Sequence, residues 1–218
     1  MGAMVFSRWM VMPICMVILI WPCFVWFTVF FFRDPTPQVP AAEGIIVAPA
    51  HGKVDLIDET DEPEVIGGRC RRISIFLSIF DVHVQNAPVA GIVNVVCHRP
   101  GKFLNAIKSA SAMQNENLLI GIRPAEEPDG RIAVRLIAGM IARRIVAWVQ
   151  PGDEVARGDR IGLIQFGSRC DLYLPSKFQV LVKPGDRVVG GETVIAARAM
   201  SAPASAKAST QCQAAMPS

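Results

Sequence analysis

An uncharged run from Trp9 to Phe32 limits most strongly what this chain can fold into, because 24 residues follow one another there without a charge. As a helix the run would be about 36 Å long, enough to cross a bilayer core of about 30 Å. Pro13 and Pro22 would also allow a hairpin. A cleaved signal peptide is the main alternative, but its apolar region would be shorter and less aromatic at its end. We therefore expect residues 1–33 to form a membrane helix or hairpin.

The remainder of the chain is predicted to be one domain between two irregular segments. Residues 34–43 are rich in proline and small residues, which indicates a linker. Residues 44–199 are numerous enough to bury one hydrophobic core. Residues 200–218 lack apolar periodicity and are expected to be disordered.

Cysteine spacing and net charge argue against several functions. The six cysteines form no Cys-x-x-Cys pair, so neither a zinc site nor a disulfide framework is expected, and we predict no metal. The net charge of +3 is too small to indicate a nucleic-acid partner.

Short apolar runs rich in β-branched residues fill the domain. Runs such as "RISIFLSIF" and "RIAVRLI" are separated by glycine, proline and Asp-Gly, a pattern typical of all-β sandwiches and barrels. Helical spacing is found only around residues 101–117. The fold is therefore predicted to be mainly β.

A repeat in the carboxyl half predicts that the β domain is quasi-duplicated. "VQPGDEVARGDRI" at 149–161 is followed 33 residues later by "VKPGDRVVGGETV" at 182–194, and Pro-Gly-Asp favours a turn. A looser pair, "APAHGKV" at 48–54 and "APVAGIV" at 87–93, is consistent with partner strands.

The arrangement resembles the barrel-sandwich of lipoyl and biotinyl carrier domains, so a membrane-tethered carrier or adaptor is one hypothesis. A carrier displays a lysine at a hairpin tip, however, and between the repeats this chain has a Gly-Ser pair at 167–168.

A second resemblance is more specific and covers residues 29–195. The stretches that carry it occur in this order: "FFFRDPTP", "APAHGKV", "FLSIFDVHVQNAPVAGIV", "PGKFLNA", "NENLLIGI", "IAGMIARRIV" and "FGSRCDLYLP". Together they resemble short bacterial phosphatidylserine decarboxylase proenzymes. The stretches "FDVHVQNAP" and "FGSR" are the most specific parts of the match.

The resemblance implies a self-cleaving enzyme. In that family the Gly-Ser bond, here between Gly167 and Ser168, breaks to give a large chain (1–167) and a small chain (168–218) whose first residue becomes a covalent pyruvoyl cofactor. The pyruvoyl carbonyl would form a Schiff base with phosphatidylserine, and loss of CO2 would give phosphatidylethanolamine. The family also implies a substrate in the inner membrane and a domain on its cytoplasmic side, and leaves a homodimer open.

The residue types in these motifs suit self-cleavage on physical grounds. A serine hydroxyl must attack the preceding carbonyl, which Gly167 leaves open, and it needs a base such as imidazole. His83 stands where the family motif has its processing base, and strand alternation would place Asp81 on the same face to support the ring. The alternative for His83 is a partly buried strand histidine with no chemical role.

Position 51 departs from the family pattern, in which relatives carry Pro-Ala-Asp-Gly. Here His51 replaces that aspartate in "PAHG", so His83 loses a negative neighbour unless Asp81 or Asp55 takes its place. A processing-deficient homologue that acts as a membrane-tethered lipid-binding or scaffold protein is therefore the alternative function.

Three basic residues are candidate ligands of a lipid phosphate, namely Lys102, Arg143 and Arg144. The alternative is that they belong to a solvated face. We further expect that deletion of residues 1–32 leaves a foldable β domain, because no sequence pattern in the domain requires them.

Overall fold

The described part of the chain is mainly β, as expected. The computed structural model describes residues 2–103, 114–127, 130–139, 144–165 and 168–198, with side chains from Met16 onward. The tail expected at 200–218 and residues 104–113 of the expected helix lie outside these ranges. Asn117, at the end of that expected helix, begins a strand.

The uncharged run forms one continuous helix, α1 (Gly2–Phe31), rather than a hairpin. Most of its described large apolar side chains are exposed, whereas Phe31 at its end is only 1% exposed. Within the described part of the chain, no helix has both the length and the apolarity of a membrane span.

Fourteen strands follow the helix in the described residues. They are β1 (Ile45–Val47), β2 (Gly52–Glu62), β3 (Gly68–Leu77), β4 (Val84–Asn86), β5 (Gly91–Arg99), β6 (Asn117–Pro124), β7 (Ile132–Ile137), β8 (Ile145–Ala147), β9 (Glu154–Val155), β10 (Arg160–Ile164), β11 (Ser168–Leu174), β12 (Phe178–Val180), β13 (Arg187–Val188) and β14 (Val194–Arg198). An eight-stranded sheet has the order β13-β2-β3-β11-β7-β6-β5-β9, and two three-stranded sheets have the orders β1-β14-β12 and β4-β10-β8.

The main hydrophobic core lies between these sheets. Ile75 of β3, Val134 of β7, Ile161 of β10 and Ala196 of β14 are each 0% exposed and belong to one cluster. Full burial of a large apolar side chain contributes roughly 1.5 to 3 kcal/mol relative to its exposure. The cluster therefore holds all three sheets together.

The two Pro-Gly-Asp segments form equivalent turns. Gly152 and Gly185 both have φ of 102°, a conformation that favours glycine. Gly152 N donates to Val93 O and Gly185 N donates to Val54 O, each at 2.8 Å. Val93 and Val54 are the last residues of the second, looser repeat pair, so both repeats meet in the structure.

The second turn of each repeat is matched in the same way. Gly158 N donates to Ala87 O and Gly191 N donates to Ala48 O, again at 2.8 Å each. Ala87 and Ala48 are the first residues of the looser repeat. The hydrogen bonds thus join residues 48–54 to 182–194, here called the first half, and residues 87–93 to 149–161, here called the second half.

The segment 34–43, expected to be a linker, lies outside the helix and the strands and is bonded to the β domain. Gln38 N donates to Glu192 Oε1 at 2.9 Å, and Arg157 donates to the carbonyls of Pro40 and Ala42 at 2.9 and 2.6 Å. These bonds fix the path of the chain from α1 to β1.

Candidate functional site

Ser168 is the first residue of β11, a strand in which every residue is buried. It pairs with Leu77 at the end of β3 and is itself 0% exposed. Its Oγ has no hydrogen-bond partner among the described residues. Because an unsatisfied buried hydroxyl costs about 1 to 3 kcal/mol, such a serine is a candidate for chemistry. Gly167 lies outside the described residues.

His83 precedes β4 and is fully buried, with 0% exposure. Its Nδ1 lies 2.8 Å from the carbonyl oxygen of Asp81. A carbonyl only accepts hydrogen bonds, so Nδ1 carries the proton and Nε2 is the basic nitrogen of the neutral ring. The His83 pKa is lowered to about 4, first by burial and also by the charge of Arg33, while Asp81 opposes the shift. The ring is therefore neutral, and able to accept a proton, near pH 7.

Two backbone contacts connect the residues near His83 with the residues near Ser168. Ile164 N donates to His83 O at 3.2 Å, and Ile164 lies four residues before Ser168. On the other side, Leu77 pairs with Ser168 and lies six residues before His83. His83 and Leu77, the two ends of one short segment, therefore contact Ile164 and Ser168.

Asp81 does not lie in a strand, so the alternation expected for Asp81 and His83 is wrong. Residues 78–81 form a turn, in which Asp81 N donates to Ser78 O at 2.9 Å and Asp81 Oδ2 accepts from Ser78 N at 2.8 Å. The other carboxylate oxygen accepts from Arg187 at 2.7 Å. Asp81 thus contacts His83 through its backbone carbonyl, and its carboxylate acts on the ring by charge.

His51 lies directly before β2, half-buried beside Gly190. Burial is the largest cause that lowers its pKa; the charges of Asp81 and Glu192 raise it, and the charge of Arg33 lowers it further. Asp81 and Arg33 are also the charges that act on His83. The charges of Asp81 and Arg33 therefore act on both histidines.

Asp55, the other acid considered as a partner for His83, is engaged elsewhere. Its Oδ2 lies 3.0 Å from the guanidinium of Arg169, which also contacts Asp171 at 3.1 Å. Arg169 is 1% exposed. The Asp55 carboxylate therefore compensates a buried cation next to Ser168 in the chain.

Lys102 lies at the same end of the eight-stranded sheet as Ser168. Its carbonyl accepts from Glu116 N at 3.0 Å, and the carbonyl of Glu116 accepts from Ala138 N at 2.9 Å, just beyond β7. Since β7 is the neighbour of β11 and strands are about 4.8 Å apart, Lys102 lies a few strand spacings from Ser168. Its exposed ammonium contacts Gln114 at 3.3 Å.

Arg144 approaches the serine segment through its backbone. Its carbonyl accepts from Gln165 N at 3.2 Å, three residues before Ser168, and its side chain is exposed. Arg143 lies outside the described residues.

In the part of the chain that the structure describes, no group of three or more His, Cys, Asp or Glu side chains is arranged to hold a metal.

Comparison with known proteins connects this geometry to a family. The sequence model of the family described as "Phosphatidylserine decarboxylase" matches residues 24–196. The chain belongs to this family. A phosphatidylserine decarboxylase proenzyme from Symbiobacterium thermophilum is 46% identical over 169 residues, which is 78% of each chain. A proenzyme of the same name from Ruegeria pomeroyi is 43% identical over 189 residues, 82% of this chain and 85% of the relative.

Membership of the phosphatidylserine decarboxylase family confirms the resemblance found in the sequence motifs. The family match contains His51, Asp81, His83 and Ser168, and it begins early enough to include the end of α1.

The sequence analysis missed two residues at that end of α1. The Phe31 ring lies 4.2 Å from the His83 ring, centroid to centroid, and Arg33 donates to Phe80 O at 2.6 Å. Phe31 therefore packs against the β domain, while the expectation that the domain folds without residues 1–32 stays a prediction. The stretch "FFFRDPTP", already part of the family resemblance, was the signal that could have revealed both.

Proposed function

We propose that this chain is a proenzyme that converts phosphatidylserine to phosphatidylethanolamine and CO2 with a pyruvoyl group made from its own Ser168. The observation that carries the proposal is a fully buried serine hydroxyl without a partner in the described residues, four residues after Ile164, whose N–H donates to the carbonyl of the neutral histidine His83. The names of the similar proenzymes support the same activity.

Self-cleavage begins when Ser168 Oγ attacks the carbonyl carbon of Gly167. His83 Nε2 takes the hydroxyl proton and passes it to the Ser168 nitrogen as the bond between Gly167 C and Ser168 N breaks and an ester bond forms to Oγ. Removal of the Ser168 Cα proton then expels the Gly167 carboxylate and leaves dehydroalanine. Addition of water and loss of ammonia convert this residue to the pyruvoyl group. The products are chains 1–167 and 168–218.

The burial of Ser168 fits the group that would replace it. A pyruvoyl group supplies the electron-accepting carbonyl that loss of CO2 from a serine headgroup requires. The residues around it exclude water, since Ser168, His83 and Leu77 are each 0% exposed. His83 is held in one tautomer by the Asp81 carbonyl and can move a proton at Nε2.

Asp81 takes over, in this proposal, part of the role of the aspartate that position 51 lacks. Its carbonyl orients the His83 ring, and its charge raises the pKa of both histidines against the effect of burial. His51 lines the same site without supplying a negative charge.

Lys102, Arg143 and Arg144 are proposed to bind the lipid phosphate. Lys102 and Arg144 are exposed at the end of the sheet where Ser168 lies, and guanidinium and ammonium groups suit a phosphate. The apolar side chains exposed along α1 would hold the domain at the inner membrane on its cytoplasmic side. A homodimer stays a prediction.

Intact-mass analysis of the purified chain tests the proposal. We expect two chains, 1–167 and 168–218, and the small chain should resist stepwise amino-terminal degradation because a pyruvoyl group has no amine. Ser168→Ala should abolish cleavage and CO2 release from phosphatidylserine vesicles, while His83→Ala should slow cleavage about 10²- to 10⁴-fold.

His51 favours the second candidate, a processing-deficient lipid-binding or scaffold protein. A wild-type chain that stays whole and releases no CO2 would support this second function and overturn the first.

A further inference from the structure

Phe31, the last residue of α1, faces the opposite way from most of the described helix. It is 1% exposed, whereas Phe24 and Trp26 are 58% and 67% exposed. Its ring lies against the His83 ring with a centroid distance of 4.2 Å and an angle of 35° between the planes. One side of the fully buried imidazole is therefore covered by a side chain from outside the β domain.

Arg33 ties this end of the helix to the loop that carries Asp81. One guanidinium nitrogen donates to Phe30 O at 2.8 Å, and another donates to Phe80 O at 2.6 Å. The guanidinium also lies 3.9 Å from the centre of the Phe30 ring. Since a cation satisfies the last carbonyls of a helix, Arg33 both ends α1 and holds it over residues 78–83.

We propose that Phe31 is a positioning residue for His83: it closes one side of the histidine pocket and keeps water from the ring, so the end of α1 is part of the site. The chemical role of His83 rests on the proposed function, but the contact and its effect on the ring do not. The segment thought to serve only as an anchor thereby controls the base that starts processing.

The physical consequence is a change in the proton affinity of His83. Burial is the largest cause of its low pKa, and the charged groups that act on the ring are Asp81, which raises the pKa, and Arg33, which lowers it. Arg187 on β13 pairs with Asp81. Loss of the Phe31 ring admits water and leaves these charges in place, so the His83 pKa should rise toward the ordinary value of about 6.5.

Proton NMR titration of the full-length, uncut Ser168→Ala chain in detergent tests this inference. The chain has only three histidines, and His83→Gln identifies the signal of interest. We expect Phe31→Ala to raise the His83 pKa by about one unit or more. Phe24→Ala removes the same ring from an exposed position of α1 and should leave that pKa unchanged. An unchanged His83 titration in Phe31→Ala would overturn the proposal.

A second variant and a rate measurement separate a positioning role from a folding defect. Phe31→Leu keeps an apolar cover and should shift the pKa in the same direction by less; no shift in a folded Phe31→Leu chain would also count against the proposal. In a chain that keeps Ser168, the cleavage rate of Phe31→Ala should fall as the pH falls from 7 to about 5.5. His83 becomes protonated there in the variant, whereas wild-type His83 stays neutral. If the wild-type chain never cleaves, the proposed function fails, yet the titration still decides the role of Phe31.

Discussion

Gly52 and Gly91 occupy matching positions in the two halves of the domain, at the start of β2 and of β5. A Cβ on Gly52 would lie 2.2 Å from Phe76 O, and a Cβ on Gly91 would lie 2.1 Å from Arg123 O. Each glycine also pairs with a short strand of the repeat, Gly52 with β13 and Gly91 with β9. The two halves thus have the same backbone arrangement, including the same close approach between strands.

The side chains at this point differ between the halves. His51 precedes Gly52, but Ala90 precedes Gly91, and Arg187 of β13 corresponds to Glu154 of β9. In the first half the turn after β3 supplies Asp81 to the histidines.

In the second half, the turn after β6 supplies Glu126, whose carboxylate accepts from Gly44 N at 2.9 Å and lies 3.5 Å from Arg157. The turn after β3 therefore contributes to the chemical site, whereas the turn after β6 holds the segment that leads from α1. The backbone repeat thus does not determine the site, because a few side chains at equivalent positions do.

The largest expected effect is a loss of stability when a side chain is added to Gly52 or Gly91, where two strands approach closely. Gly52→Ala and Gly91→Ala each force the strands apart, because the new methyl group would overlap a backbone carbonyl. We expect each to lower the free energy of unfolding by about 3 kcal/mol or more, with Gly52→Ala the worse because its φ is 149°. Urea unfolding of the uncut Ser168→Ala chain measures this.

Gly67→Ala is the control for these two variants. Gly67 has a positive φ of 83°, but a Cβ there meets nothing within 4 Å. It should cost only about 1 kcal/mol. If Gly91→Ala were tolerated as well as Gly67→Ala, the two halves would not share the close approach.

A smaller effect is expected from restoring a carboxylate at position 51. His51→Asp adds a negative charge beside Asp81, which raises the His83 pKa and makes the ring a stronger base. Cleavage should become about three- to tenfold faster. The time course of the two chains on a denaturing gel gives the rate.

Ala90→Asp places the same carboxylate at the matching position of the second half. It should leave the cleavage rate unchanged, because Ala90 lies beside Ala125, whose N–H donates to its carbonyl, and not beside Asp81. Equal rates for wild type and His51→Asp would mean that Asp81 already gives His83 all the support it needs.

The smallest effect is expected from the surface charges on the two short strands. Arg187 pairs with Asp81 at 2.7 Å, but its side chain is 75% exposed, so the ion pair is weak. Arg187→Gln leaves the Asp81 charge less compensated and should change the cleavage rate about twofold or less, with the difference disappearing in high salt.

Glu154→Gln is the equivalent change in the second half and should have no effect on cleavage at any salt concentration. A large effect of Glu154→Gln on the cleavage rate would show that the second half also acts on the site, contrary to this prediction.

The mainly β fold, the duplicated turns and the family can be predicted from the amino-acid sequence. Alternating β-branched runs and Pro-Gly-Asp turns depend on neighbouring residues, so their structure can be predicted locally, and the motifs around His83 and Ser168 identified the candidate site. The contact between Asp81 and His83 could not be predicted in this way, because residues 78–81 form a turn where periodicity predicted a strand. Likewise, the stretch "FFFRDPTP" draws attention to Phe31 but does not show that its ring packs on His83, since residues far apart in the chain meet only in the folded protein.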